Sequence, residues 1–383
     1  MASPRVIEIA SPSAHERGRQ YGAAAADLIS RAIAYYREGF AHQAGLAWDE
    51  VLEHTRPWQR LVEQDFPELL EEMRGIAEGA GVLVPEIVAL NCRGEIIYDN
   101  WIPKTPESPR SPKPEELDGC TSFSLIDGAA GDGHVYAGQN WDWRHAIRDT
   151  VVILRVVQPP KPTLIMQLEA GQIGRHGANS DGLAINANGL GGRFDDLIGM
   201  PQTVIRRAVL DAPNVAEALK LLTWTKAHIP SNALITHRDG FSIDVETTPG
   251  GHGWQYPVDG LLVHGNHYQA FTPPQDGTER RLMSPDSLVR VPRARRGLAK
   301  AAFAEKSDDV RAAIHSAMSD HLGHPDSLCA HPDERLPAVE QWSTTLSSCV
   351  DLTTGEYYVA AGSPCENPYE LVPFNLYQEE THP

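Results

Sequence analysis

Asp118-Gly119-Cys120-Thr121-Ser122-Phe123 stands where a proline-rich stretch gives way to strand-like sequence. Upstream, residues 101–119 hold five prolines among few apolar side chains. Proline lacks a backbone donor and fixes φ, so this stretch reads as an exposed linker. Downstream, Thr121–Ile126, His134–Gly138, Val151–Val157 and Thr163–Leu168 read as strands separated by Gly, Asp and Pro turns. A thiol at the start of a strand is held rigidly, and the preceding glycine permits unusual backbone geometry. If the Gly119–Cys120 bond breaks, Cys120 gains a free α-amine beside its own thiol. Such an amine titrates at about 8, well placed for a general base near neutrality. One residue would then supply both nucleophile and base. In isolation, a buried strand cysteine packed as a small hydrophobe would look the same.

Working outward, residues 14–40 carry apolar side chains at three- and four-residue steps, as one buried helical face requires. A second helix is expected from Pro67, with Gly79 and Gly81 suited to end it. A short third one follows Pro85. Beyond the strands named above, Leu183–Asn186, Ala233–Thr236, Phe241–Glu246 and Gly260–His264 read as strands, and 201–210, 214–224 and 294–319 as helices. The tail reads as a hairpin of 344–351 and 356–360 around Thr354-Gly355. Strands joined by hairpins rather than regular βα alternation point to an α+β fold of antiparallel sheets flanked by helices.

Two further segments carry candidate chemistry. In Gly138-Gln139-Asn140-Trp141-Asp142-Trp143, the Asp142 carboxylate could hold an α-ammonium or the precursor thiol by charge-assisted hydrogen bonds. A turn aspartate between two core tryptophans is the alternative. In His264-Gly265-Asn266-His267-Tyr268, the Asn266 amide could point an N–H at a developing oxyanion, although asparagine is also a common turn residue. Trp141, Trp143 and Tyr268 could form an aromatic substrate wall, and core packing explains them equally well.

These segments, in this order, resemble the acyl-coenzyme A: isopenicillin N acyltransferase family of autoproteolytic N-terminal-nucleophile hydrolases, which includes β-alanyl-amine hydrolases. The resemblance also rests on Glu71-Glu-Met-Arg-Gly-Ile-Ala-Glu-Gly-Ala-Gly-Val82, Leu90-Asn-Cys-Arg-Gly-Glu95 and Gly177-Ala-Asn-Ser-Asp-Gly-Leu183. It implies a four-layer αββα sandwich and self-cleavage between Gly119 and Cys120. Residues 1–119 would form a helical chain with its linker and residues 120–383 the catalytic chain, the two held without covalent bonds as one structural unit. It further implies Cys120 as nucleophile, Asp142 as active-site carboxylate and Asn266 as oxyanion donor. By analogy with the bile-salt and penicillin-V hydrolase branch, Asn188 would line the same pocket. The expected activity is hydrolysis or transfer of an acyl group from a linear, non-peptide amide through a Cys120 thioester. One departure stands out. The family pattern places Arg after a Ser-x-Cys, whereas here Ser327-Leu-Cys329 is followed by Ala330, so no active-site arginine is assigned.

The rival reading is a metal-dependent hydrolase built on the segment 315–331, with His315, His321, His324, Cys329 and His331. Their spacings match no standard finger or zincin, so no metal and no cofactor are expected. A non-catalytic small-molecule-binding protein on the same scaffold is a third reading. The basic run Arg290-Val-Pro-Arg-Ala-Arg-Arg296 could touch a coenzyme A phosphate or simply be a solvated helix start.

Thirty-three basic against 51 acidic residues give a formal net charge of −18 over 383 residues. That disfavours nucleic acid and anionic membranes as partners. The expected partner is a small-molecule amide or acyl donor, with homo-oligomerisation open. No signal-peptide core is legible, and the five scattered cysteines read as thiols, which makes the cytoplasm the default expectation.

Overall fold

The computed structural model describes residues 3–43, 45–98, 119–192, 194, 197–273 and 284–378. Most of the expected linker, with Asp118, lies outside the described residues. The strands are β1 (Arg5–Ala10), β2 (Gly119–Leu125), β3 (Tyr136–Arg144), β4 (Val151–Val157), β5 (Leu164–Glu169), β6 (His176–Asn179) and β7 (Leu183–Asn186). They continue as β8 (Ser231–His237), β9 (Phe241–Thr248), β10 (Gly251–Gln255), β11 (Leu261–His264), β12 (Trp342–Asp351), β13 (Glu356–Ala361) and β14 (Glu370–Asn375). Before the linker come helices α1 (Ala14–Ala24), α2 (Ala26–Gln43), α3 (Trp48–His54), α4 (Arg56–Asp65), α5 (Pro67–Ala80), α6 (Val84–Asn91) and α7 (Arg93–Tyr98). After it come α8 (Gln202–Leu210), α9 (Val215–Trp224), α10 (Ser287–Leu298) and α11 (Ser307–Met318). None of the described helices is long and apolar enough to cross a membrane.

The strands form an 8-stranded sheet in the order β1-β4-β5-β6-β7-β8-β9-β10 and a 6-stranded sheet in the order β11-β2-β3-β12-β13-β14. Their inner faces meet. Gln167 on β5 donates to Ser348 Oγ on β12 at 3.2 Å and accepts from Tyr357 on β13 at 3.2 Å. The outer face of the smaller sheet, with Phe123, Leu125, Tyr136 and Val263, is buried against Val291, Ala294 and Leu298 of α10 and Val310, Ile314 and Met318 of α11. The larger sheet is covered by α8 and by the helices of the first 98 residues, in one continuous core. This is an α+β, four-layer αββα sandwich.

Three details differ from the sequence reading. The first segment is not purely helical: β1 pairs parallel to β4, from Arg5 opposite Val152 to Ala10 opposite Val157, so the larger sheet is mixed at that edge. The helix expected over 14–40 is broken at Ala25, where φ is −120° and ψ 13°. The helix expected over 294–319 begins earlier, at Ser287, and ends at Leu298; a tight turn over Ala299–Phe303 separates it from α11.

The glycines of α1 and α5 serve close approach. A Cβ on Gly18 would lie 2.0 Å from the Glu72 carbonyl oxygen, and one on Gly75 2.0 Å from that of His15. Only a missing side chain lets these backbones touch. Once they touch, Glu72 of α5 meets two arginines, Arg17 on α1 and Arg207 on α8, at 3.2 and 2.6 Å.

Candidate active site

Strand β2 begins at Gly119, so Cys120 is the second residue of a strand lodged between β11 and β3. Cys120 lies opposite Trp141, and Gly119 opposite Asp142. Alternation along the strands therefore puts the thiol on the face of Trp141 and the Asp142 carboxylate on the other. A Cβ on Gly119 would sit 3.4 Å from the Asp142 Cβ and 3.5 Å from its Oδ2. Asp142 flanks the peptide bond rather than the sulfur. Its Oδ1 accepts from Thr344 Oγ1 at 2.6 Å.

Asn266 follows β11, which pairs with β2, and the chain turn after His264 carries it to the start of Cys120. Its Oδ1 accepts from the Cys120 backbone N–H at 2.7 Å, and its Nδ2 donates to Gly189 O at 2.9 Å. Toward Cys120 the Asn266 side chain is thus an acceptor, and its donor nitrogen faces Gly189. The Asn266 N–H donates to Ser287 Oγ at 2.7 Å, and that hydroxyl meets His267 Nδ1 at 2.7 Å. Burial lowers the His267 pKa to about 4, helped by the nearby positive charges of His264 and Arg290.

Sequence reasoning missed Arg290. Its Nη1 donates to Cys120 O at 2.6 Å and to Thr121 Oγ1 at 2.7 Å, while Nη2 donates to Asn266 Oδ1 at 2.8 Å. Asp286 fixes its Nε at 2.5 Å. Burial alone would lower the Arg290 pKa, but Asp286 and Asp142 outweigh it and hold the guanidinium charged. The Arg290–Arg296 run shows a basic segment in the sequence but not which of its arginines turns inward. The helix was expected from residue 294, yet α10 starts at Ser287 and buries Arg290, so the solvated-start reading is corrected at that residue.

Asn188 lies in the same neighbourhood, its Nδ2 donating to Ser122 Oγ and to His264 O, both at 3.1 Å. Its Oδ1 is buried without a hydrogen-bond partner. Trp141 and Trp143 are fully buried. Arg175 stacks 4.1 Å over Trp141 and Arg93 4.2 Å over Trp143, and Trp143 Nε1 donates to Tyr36. Both tryptophans pack in the core between the sheets, with Trp141 directly opposite Cys120. Tyr268 is half-buried, with its hydroxyl on Gly191 O at 2.9 Å.

Behind Asn188, three buried ionisable groups meet. His264 Nε2 lies 2.9 Å from Glu246 Oε1 and 3.5 Å from Asp244 Oδ1. Burial pushes Asp244 up to about 6, with partial relief from His264 and Asn232. For His264, burial lowers the pKa, but Asp244 and Glu246 win and raise it. A raised native pKa contributes stability that is complete below the unfolded value and is lost as pH rises through the native one. For Asp244 that window runs from 3.8 to about 6. Wild type should therefore lose, relative to Asp244→Asn, on the order of 3 kcal/mol of unfolding free energy between pH 4 and 7. Denaturant titrations of both proteins across that range check it; a constant difference contradicts it.

The five candidate ligands of 315–331 do not all meet. His315 turns away, its Nε2 on Asn367 O at 3.0 Å. His321, Cys329 and His331 converge, and Cys365, which the sequence reading did not connect with them, joins.

Against this geometry, the family model for acyl-coenzyme A:6-aminopenicillanic acid acyl-transferase matches residues 129–346, a span that begins after Cys120 and contains Asp142, Asn188, Asn266 and Arg290. The acyl-coenzyme A:6-aminopenicillanic-acid-acyltransferase 40 kDa form of Emericella nidulans is 30% identical over 256 residues. That alignment spans 66% of this chain and 66%, just under two thirds, of the relative. Among solved structures, penicillin V acylase from Agrobacterium tumefaciens is 17% identical with a TM-score of 0.39, over 63% of this chain and 83% of that one. A variant of conjugated bile acid hydrolase from Clostridium perfringens gives 17% and 0.39, over 68% and 95%. The extent of the family match, more than half of the sequence, decides membership: the chain belongs to the acyl-coenzyme A:6-aminopenicillanic acid acyl-transferase family.

Proposed function

We propose that this protein cuts itself between Gly119 and Cys120 and then hydrolyses or transfers the acyl group of a linear, non-peptide amide through a thioester on Cys120. The observation that carries this reading is the grip on Cys120. Its nitrogen is held by Asn266 and its carbonyl by Arg290, while Asp142 flanks Gly119.

In maturation the Cys120 sulfur attacks the Gly119 carbonyl carbon. The Gly119–Cys120 C–N bond breaks, the proton passes to the departing nitrogen, and a Gly119 thioester forms on the sulfur. Water cleaves that thioester, leaving a Gly119 carboxylate and a free amine and thiol on Cys120. Asn266 Oδ1 is already within hydrogen-bond distance of this nitrogen and keeps the amine oriented. In turnover the amine takes the thiol proton as sulfur attacks the amide, then delivers it to the leaving amine. Asn266 Nδ2, on Gly189 O in the uncut chain, is the donor assigned to the oxyanion. Water or an acceptor amine resolves the thioester.

The two pieces stay together without a disulfide. The β1–β4 ladder and the buried pairs Glu72–Arg207 and Arg93–Glu169 join residues before the cut to residues after it. Incubation with a panel of N-acyl amines and aminoacyl amides, with and without an acceptor amine, tests the function. The expected result is turnover of some linear amides with acyl mass appearing on the fragment that starts at Cys120. Turnover with no acylated Cys120 at any time after mixing would sink it.

A further inference from the structure

We infer that His321, Cys329, His331 and Cys365 form a tetrahedral zinc site, separate from the Cys120 machinery, that clamps the chain beside Asp142. One ligand atom from each of the four residues lies within 4.8 Å of the other three.

The spacing is that of a coordination shell. His331 Nε2 is 3.2 Å from His321 Nε2, 3.3 Å from Cys365 Sγ and 3.7 Å from Cys329 Sγ. Bonds of about 2.0 Å to nitrogen and about 2.3 Å to sulfur, arranged tetrahedrally, put nitrogen–nitrogen edges at about 3.3 Å and nitrogen–sulfur edges at about 3.5 Å. A single imidazole nitrogen has one proton or one lone pair and cannot satisfy three such neighbours. A cation among the four atoms satisfies all of them. Two imidazoles and two thiolates select zinc over hard cations, which prefer oxygen. The outer contacts fit as well. Glu366 Oε1 stands 3.6 Å from His331 Nδ1, on the side where a metal-bound imidazole turns its second nitrogen to a carboxylate.

Four protein ligands leave no open position for water or substrate, so the site is structural rather than hydrolytic. It joins the loop after α11 to the turn after β13. Between two of its ligands lies Ala330, whose N–H donates to Thr344 Oγ1 at 3.0 Å and whose carbonyl accepts from Thr344 N at 3.1 Å. Thr344 is the residue whose hydroxyl holds Asp142. The clamp thus fixes the backbone that sets the Asp142 carboxylate beside Gly119.

Metal analysis of the full-length protein, equilibrated with zinc and dialysed free of excess, tests the assignment. The expected content is about one zinc per chain, retained in Cys120→Ala and lost in both Cys365→Ser and His321→Ala. The last two replace exposed ligands, so folding should survive, as far-ultraviolet circular dichroism will verify. Cobalt in place of zinc should show a thiolate charge-transfer band in wild type that weakens in Cys365→Ser. Wild type that binds no zinc overturns the inference, as does zinc retained by either ligand variant. So does a wild-type chain two hydrogens light, with the Cys329 and Cys365 peptides joined by a disulfide.

Discussion

Cys120→Ala is expected to purify as one uncut chain with no turnover of any amide that wild type uses. In the proposed mechanism the same sulfur serves the internal acyl shift and the reaction with substrate, so both steps fail together. Loss of a nucleophile that acts as a unit with its base lowers kcat by on the order of 10⁶. Cys120→Ser should cut slowly or remain whole, because a hydroxyl is a far poorer nucleophile than a thiolate at neutral pH. A purely structural Cys120 makes the opposite forecast. It is fully buried, so Ser would cost stability and leave activity in the folded fraction unchanged. Cys349→Ser is the control. Cys349 is also buried, but it packs among the α10 and α11 residues on the outer face of the sheet, and burial pushes its thiol pKa up. Chain length by mass and amide turnover, read on all three proteins, separate the two accounts.

Arg290→Met should produce the second largest loss. The side chain joins Cys120 O, Thr121 Oγ1, Asn266 Oδ1 and Asp286, four acceptors arranged around a planar fork. Methionine keeps the volume but strips Asn266 Oδ1 and the Cys120 carbonyl of a charged donor. Removing a direct oxyanion donor costs about 10²–10³ in rate, and Arg290 holds the residue assigned that role, so a loss toward the lower end of that range is expected. The expected result is precursor cleavage and kcat both slower by that order, with a folded spectrum. Arg290→Lys should rescue little, because an ammonium is a point charge and cannot span the fork. Wild-type rates of cleavage and turnover in Arg290→Met would remove this residue from the mechanism and leave it a stabilising role.

Much of the architecture was legible because period and punctuation agreed. Val151–Val157 and Leu183–Asn186 are short apolar runs bounded by turn residues, and the structure forms strands over those spans. Helix α5 opens with Pro67 and closes on Gly81 at φ 69°, both visible as signals. Strand β1 was overlooked, although Ile7 and Ile9 alternate with exposed neighbours, because a single short edge strand has no hairpin partner nearby in sequence. In the site, Cys120 and Asn266 each follow a glycine at or near a strand end, Asp142 lies near the end of β3 between two tryptophans, and the family resemblance named the three together. Arg290 and Thr344 could not. Their partners lie far off in sequence, and only the packing of α10 on β2 and the pairing of β12 with β3 bring them in. Cys365 eluded the reading for the same reason: the turn after β13 delivers it to His321, Cys329 and His331, which sit before β12.

The most direct test of the central claim is the intact mass of purified, active protein under denaturing conditions. The account predicts two masses, one for a chain ending at Gly119 and one for residues 120–383 starting with an unmodified Cys120, which co-elute when run natively with reductant. A single mass for the whole chain in a preparation that turns over amide would contradict it.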